Sequence, residues 1–222
     1  MKIFFNFIQN KKVKCTIILI FLFLLYIFIN AYSYVNAISN NLSDNVFRLH
    51  VIANSDSVED QNLKYIVRDK LISYMNNLCS NCTNKEEAIK IVNNNISSFQ
   101  EIAKNTMLEN GYNYNVTVEV GNFKFPTKTY GDISFPAGYY DALKVKIGTA
   151  KGQNWWCVMF PPLCFIDVTS GVVPDSSKKQ LQNNLSSEEY SLVSSSTNSS
   201  YNIKFKLIEF FEQNGLITAQ NK

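Results

Sequence analysis

The amino-acid sequence predicts an α+β fold, because two helical patterns are followed by a series of short strands. A short apolar stretch over 46–53 predicts a first strand, and apolar residues then recur at three- and four-residue steps over 63–78 and 88–103. From Tyr112 the apolar period changes to two, which is typical of strands with one solvated face. We therefore expect an N-terminal apolar helix, a strand, two amphipathic helices, an antiparallel sheet and a C-terminal amphipathic segment, in that order.

The N-terminal helix is predicted to enter a membrane. Residues 15–29 are uncharged and, except for Thr16, apolar, and three lysines precede them at positions 11, 12 and 14. Lysines remain on the cytoplasmic side of a bilayer, so the chain after residue 37 is expected outside. The run is long for a signal peptide, and an extension over 15–35 would serve as an anchor. Residues 1–37 are therefore interpreted as a signal peptide or a membrane anchor, and both alternatives stay open.

The two amphipathic helices have recognisable N-termini. The first helix starts at Ser57, whose side chain is expected to form a capping box with Asp60. A second, single helix is expected over 83–108, with Glu86 as the cap partner of Thr83.

The second half of the chain is predicted to form the sheet. Strands are expected over 112–120, 123–125, 143–147 and 155–160, and their short spacing favours antiparallel hairpins. The resulting organisation is an exported α+β domain over 44–175, a Ser-rich linker over 176–200 and the C-terminal amphipathic segment over 201–222.

The charge distribution argues against a nucleic-acid partner. The formal net charge of the chain is +3, but the first 43 residues hold four lysines and no acid, which leaves 17 basic and 18 acidic residues for the remainder. A domain near neutrality lacks the basic face that duplex nucleic acid requires. The common hydrolase, metalloprotease and phosphate-binding loop motifs are also missing from the sequence, so we expect no cofactor and no small-molecule substrate.

Four cysteines lie in the exported part, where disulfides are stable. A Cys157–Cys164 disulfide is expected, because the intervening residues include a Pro-Pro turn that brings two chain segments together. Cys79 and Cys82 would form a second bridge or remain as free thiols. A zinc site made of all four cysteines is the alternative, although the second pair lacks the usual ligand spacing and we predict no metal site.

His50 is the only histidine and lies inside the first predicted strand. A general acid–base role would need a partner within hydrogen-bond reach, and Asp56 or Ser55 at the strand end could supply one. The alternative is a half-buried histidine that is hydrogen-bonded to a neighbouring strand.

The densest apolar passage outside the membrane segment contains Trp155, Trp156, Pro161 and Pro162. Neighbouring residues of a strand point to opposite faces, so one tryptophan should enter the core while the other faces outward. An outward tryptophan beside a rigid Pro-Pro turn is a candidate anchor for a partner protein. The alternative is that a second layer, such as a C-terminal helix, covers it.

Several long strings carry a resemblance to a known family. They are Arg48–Ser57 (RLHVIANSDS), 125–131 (FPTKTYG), 136–143 (PAGYYDAL), 152–165 (GQNWWCVMFPPLCF) and 204–212 (KFKLIEFFE). Together they resemble stage II sporulation protein R of endospore-forming bacteria, from about residue 46 to 167 and again near the C-terminus. The N-terminal segment is similar to the family only in being an export or anchor sequence.

The resemblance implies an intercompartmental signalling role. Members of this family are exported from the forespore into the space between the two engulfment membranes. There they activate a membrane-bound aspartic protease of the mother cell, which then processes pro-sigma-E. We therefore expect a non-catalytic activator, and the expected partner contacts are the candidates named above together with Arg48 at the start of the first strand. The alternative is an exported hydrolase that acts on cell wall through His50 and Asp56.

Overall fold

A computed structural model describes residues 11–164 and 173–194. The chain divides into two compact units between Ile38 and Ser39. The predicted C-terminal amphipathic segment, 201–222, lies outside the described residues.

The first helix, α1, runs from Lys11 to Asn45. Its part from Lys11 to Ser33 is long and apolar enough to cross a membrane, with a mean hydropathy of 2.4. The large apolar side chains of Ile17–Ile29 are exposed. Length and composition therefore fit membrane association, as an anchor or as a signal sequence.

The second unit begins with the last turns of α1 and contains eleven further elements among the described residues. They are β1 Phe47–Ile52, α2 Val58–Leu78, α3 Lys85–Asn94, α4 Ile96–Glu109, β2 Val116–Phe125, β3 Lys128–Tyr130, β4 Ile133–Phe135, β5 Gly138–Ile147, β6 Asn154–Phe160, α5 Asp175–Asn184 and α6 Ser187–Ser194.

The α+β class is confirmed, and the main sheet is mixed rather than wholly antiparallel. Its strand order is β2-β5-β1-β6. β5 is antiparallel to β2 and parallel to β1, and β6 is antiparallel to β1. β5 and β6 therefore do not form the expected hairpin, because β1 lies between them. The physical reason is that β1 is almost wholly buried and fits only the centre of a sheet. β3 and β4 form a separate antiparallel hairpin.

The two faces of the main sheet differ. One face carries Leu49, Val51, Leu143, Val145 and Cys157, which are all buried. Helices α2, α3 and α4 contact the sheet on this side. The opposite face, which we call the outer face, carries the alternate residues of the same strands and is covered at one end by the β3–β4 hairpin.

The predicted helix 83–108 is two helices, which corrects the expectation of one. Asn95 separates α3 from α4, and its side-chain amide donates to the carbonyl of Ile91 at 2.8 Å. Asparagine competes in this way with the helical backbone bonds, which explains the break. The N-cap of α3 is Asn84, whose side chain accepts from the amide of Glu87 at 2.9 Å, rather than Thr83.

Ser57 caps α2 as predicted, since the amide of Asp60 donates to its hydroxyl at 3.2 Å. The reciprocal half of the capping box is not formed, because the amide of Ser57 donates to the hydroxyl of Ser55 at 3.2 Å. The first strand after α4 begins later than expected: β2 starts at Val116 and continues through Gly121 to Phe125 as one strand. A β-carbon added at Gly121 would stand 2.9 Å from the ring of Phe123, so the glycine leaves room for this aromatic ring.

The range in which a Ser-rich linker is expected contains α5 and α6. Leu181 and Val193 are fully buried, and the hydroxyl of Ser177 donates to the carbonyl of Pro162 at 2.7 Å. A few apolar anchors thus hold these short polar helices against the domain.

Candidate functional site

The structure separates the two tryptophans as their positions on one strand require. In β6, Trp156 lies on the outer face, opposite His50 of β1. Trp155 lies on the helix-covered face, where its ring contacts Tyr65 of α2 in an edge arrangement with centroids 5.5 Å apart. The outer face is therefore where His50 and one tryptophan meet.

An aromatic stack forms the centre of the outer face. The rings of His50 and Trp156 are stacked with centroids 3.6 Å apart and an angle of 19° between their planes. The edge of Phe125 packs against Trp156 at 4.7 Å. Trp156 is half-buried, so part of this stack is available to a partner while the rest is held rigidly.

His50 is neutral at physiological pH. Its side chain is 6% exposed, and Nε2 lies 2.7 Å from the side-chain oxygen of Asn154. Because an amide oxygen only accepts, Nε2 carries the proton, and within residues 11–164 and 173–194 the buried Nδ1 has no hydrogen-bond partner. Burial lowers the pKa of His50 to about 4; the bond to Asn154 opposes this shift, and the charges of Lys144 and Lys146 add to it.

Asp56 is not the hydrogen-bond partner of His50. Its carboxylate is exposed and accepts a hydrogen bond from the amide of Gln153 at 2.7 Å. The acid–base pair considered from the sequence is thus not formed: His50 is hydrogen-bonded to Asn154 of the neighbouring strand, as its alternative interpretation expects.

Arg48 lies beneath the surface and is fully buried. Its guanidinium is 4.2 Å from the ring centroid of Phe125 and 4.7 Å from that of Tyr140, and it donates to the hydroxyl of Tyr130 at 2.7 Å. The Tyr130 hydroxyl in turn donates to the carbonyl of Trp156 at 3.1 Å. Arg48 therefore does not reach a partner directly, but it fixes the hairpin to the strand that carries Trp156.

A small charged group borders the aromatic stack. Lys146 contacts the carboxylate of Glu119 at 2.8 Å, and Lys144 lies 3.8 Å from the same oxygen. The ammonium of Lys144 is 3.3 Å from the ring centroid of Phe123. The hydrogen bond from Lys146 lowers the pKa of Glu119, so the pair is ionised at neutral pH.

Sequence reasoning missed this border, although the signal was present. Lys144 and Lys146 alternate with apolar residues in β5, which marks them as the solvated side of the strand. What the pattern does not contain is the register that brings them beside His50.

Trp155 is half-buried on the helix-covered face, where α2 packs against it. The guanidinium of Arg68 is 4.1 Å from the centroid of Trp155 and 4.9 Å from that of Tyr65. Pro161 and Pro162 follow β6 at its other end, where Pro161 is buried and Pro162 half-buried, away from the stack. The predicted contact residues thus do not form one continuous surface.

The four cysteines of the second unit are paired. Cys157 pairs with Cys164, as expected, with Cα atoms 5.3 Å apart, and Cys79 pairs with Cys82 with Cα atoms 4.9 Å apart. The two disulfides engage all four cysteines, so the zinc site considered as the alternative has no thiolate ligands. Over residues 11–164 and 173–194, no cluster of three or more His, Cys, Asp or Glu side chains could hold a metal ion.

The sequence comparison decides the family. Residues 43–170, more than half of the chain, match the family model described as stage II sporulation protein R (spore_II_R). The chain belongs to this family. The protein named "Stage II sporulation protein R" from Bacillus subtilis (strain 168) is 38% identical over 147 residues, which are 64% of this chain and 66% of that relative. The chain therefore spans just under two thirds of the relative's length. No solved structure matches.

Family membership places the protein in sporulation. The strings that resemble the family converge on β1 in the structure. Arg48–Ser57 is β1 and the loop after it, while 136–143 and 152–165 include parts of its two neighbours, β5 and β6. The family features are therefore concentrated at the central strand and the outer face above it.

Proposed function

We propose that this protein is an exported signalling protein that binds and activates a membrane-bound aspartic protease of the mother cell, which then removes the pro-sequence of sigma-E. Family membership is the observation that carries the proposal. In this proposal the N-terminal helix directs export of the chain from the forespore, and the exported domain acts in the intermembrane space. Residues 15–35 either remain as an anchor or are removed with the signal peptide.

The outer face is the proposed contact surface. A half-buried tryptophan at its centre, stacked on a rigid neighbour and bordered by Lys144, Lys146 and Glu119, has the composition of a binding hot spot. Trp156 would be the anchor, and His50 would hold it in place. Because His50 is neutral and bonded to Asn154, it supports the ring rather than transferring protons.

Activation requires the protein to bind the active state of the protease more tightly than the inactive state. A tenfold shift of that equilibrium corresponds to about 1.4 kcal/mol of differential affinity. One desolvated aromatic anchor supplies free energy of this size.

The test uses purified residues 38–222, membranes that contain the protease, and pro-sigma-E as substrate. The protein should stimulate processing, and Trp156→Leu should raise the half-maximal concentration by roughly tenfold or more. Trp155→Leu is the matched control, because it removes the same side chain from the helix-covered face. Thermal unfolding of each variant checks that both are folded. Absence of stimulation by the unaltered protein would reject the proposal, and equal effects of the two variants would reject the outer face as the contact surface.

A further inference from the structure

The two edges of the main sheet differ in whether their outward backbone groups are hydrogen-bonded. At the β6 edge, the outward carbonyl of Trp156 accepts from the Tyr130 hydroxyl at 3.1 Å, and that of Val158 accepts from the amide of Leu163 at 3.1 Å. The hairpin and the turn after β6 therefore occupy this edge. Such protection is what natural sheets use against strand addition.

The β2 edge presents its backbone outward over Val118–Asn122. The amide of Gly148 donates to the carbonyl of Asn115 at 2.8 Å, so Asn115 faces β5. Backbone groups alternate in direction along an antiparallel pair, so Val116, Val118, Val120 and Asn122 face away from β5. The carbonyl of Val116 confirms this direction, because it accepts from the side chain of Gln100 at 3.2 Å.

No hydrogen bond from the described parts of the chain reaches the outward backbone groups of Val118, Val120 or Asn122. The neighbouring side chains of β2 contact the sheet itself. Glu119 contacts Lys146 of β5, and the ring of Phe123 lies over Gly121. The charge of Glu119 is thus already paired within the sheet.

We propose that the β2 edge from Val118 to Asn122 takes an extended segment of the partner protein as a fifth strand. This inference rests on the proposed function, since the partner is the same protease. Outward backbone donors and acceptors at alternate residues match those of another extended backbone, which can replace the water at this edge. The added strand would lie next to Phe123 and Glu119, and so would continue the outer face that carries Trp156.

The side chains define the chemistry of the incoming segment. Val118 and Val120 lie half-buried on the helix-covered side of the edge, so the segment should place apolar residues there at alternate positions. Between them, on the outer face, a lysine or arginine would lie beside Glu119, whose side chain is 45% exposed. The segment is therefore apolar at every second position and basic in between.

A second copy of this chain fits the edge less well. In an antiparallel pairing of two copies centred on Val120, the two Glu119 side chains would be diagonal neighbours on one face. Two like charges at this diagonal distance of about 7–8 Å repel each other, whereas a basic residue of a different protein would attract Glu119.

Hydrogen–deuterium exchange on the full chain in detergent, with and without the purified protease, tests the inference. The amides of Val118, Val120 and Asn122 should exchange at least tenfold more slowly in the complex. The amides of Thr117 and Glu119 face β5 and serve as internal controls, since they should be protected in both samples.

Each other outcome contradicts the inference in a distinct way. If binding slowed amide exchange around Trp156 but left the exchange rates over Val118–Asn122 unchanged, strand addition would be refuted and the proposed function would stand. Absence of binding would refute both. Protection without protease that rises with protein concentration would assign the edge to a second copy. Concentration-independent protection that disappears in a chain ending at residue 200 would assign it to the chain's own C-terminal segment.

Discussion

At the scale of single residues, His50 shows how burial converts a titratable group into a structural one. It is the only histidine, so its protonation can be followed without interference from another imidazole. The pKa is lowered to about 4, so in the folded protein the ring stays neutral well below pH 6.5. In the unfolded chain the ring takes up a proton near pH 6.5.

This difference predicts a loss of stability on mild acidification. The unfolded state binds the proton first, so stability is fully present above pH 6.5 and is lost as the pH falls from 6.5 towards 4. Between pH 7 and pH 5 the free energy of unfolding should decrease by about 2 kcal/mol. Urea unfolding of residues 39–222 at the two pH values measures the effect.

His50→Gln is the control for that measurement, since glutamine keeps a hydrogen-bonding side chain but does not titrate. Its free energy of unfolding should change much less over the same pH interval. An equal loss in the variant would show that other groups, such as the carboxylates with lowered pKa at Asp60 and Glu119, dominate the acid response.

The tryptophan pair marks what residue patterns can and cannot predict. Alternation along a strand correctly separates Trp155 from Trp156, because it depends only on local geometry. Which of them faces the helices depends on how β6 pairs with β1, about a hundred residues earlier in the chain. The sequence pattern contains no information on that register, so the stack of His50 on Trp156 had to come from the structure.

At the scale of elements, local signals were dependable and long-range pairing was not. The Ser57 cap, the β6 strand and the Cys157–Cys164 pairing are local features, and all three match the structure. The central position of β1, parallel to β5, could not be predicted because short spacing favours hairpins between consecutive strands. The break at Asn95 was missed because its flanking residues continue the same apolar period.

The turn between β5 and β6 packs tightly against the loop after β1. A β-carbon added at Gly152 would stand 2.2 Å from the backbone carbonyl oxygen of Ser55. That loop is held in turn by Asp60, which accepts from Asn54 at 2.8 Å and from Ser55 at 2.6 Å. Neither side of the contact is therefore free to move.

We predict that Gly152→Ala destabilises the domain by roughly 1–3 kcal/mol, the usual cost of an overpacked contact. Ala150→Gly is the matched control in the same turn. Ala150 has a φ of 51°, so glycine relieves backbone strain there while adding freedom to the unfolded chain, and the net change should stay within about 0.5 kcal/mol. Denaturant midpoints of the two variants provide the comparison. If the midpoint of Gly152→Ala equalled that of the unaltered protein, the loop at Ser55 would have to shift to accommodate the added methyl group.

At the scale of the whole molecule, the domain begins inside the helix that also carries the membrane segment. Leu42 is fully buried, and the carbonyl of Ser43 accepts from the ammonium of Lys85 at 3.1 Å. Asn41 donates to the carboxylate of Glu189 in α6. The compact unit accordingly starts at Ser39, several residues before the boundary expected at 44.

This boundary leads to a prediction about truncation. A chain that starts at Ser39 should be as stable as any longer form, whereas a chain that starts at Val46 loses Leu42 and its neighbours. Burial of one leucine contributes about 2 kcal/mol, and the lost hydrogen bonds add to it, so the shorter chain should be less stable by about 3 kcal/mol. Leu42→Ala within the longer chain isolates the packing contribution. Equal urea midpoints for the two chains would place Leu42 outside the core.

The central position of β1 also determines when the domain can form. As the chain leaves the ribosome, β1 appears first, yet its neighbours are at Ala142 and Val158 in the register of Arg48. Until both have emerged, the strand has no native partner on either side, and a fold of such high contact order is slow to nucleate. The topology therefore delays the outer face: the stack of His50 on Trp156 forms only when β6, the last strand of the sheet, has paired with β1.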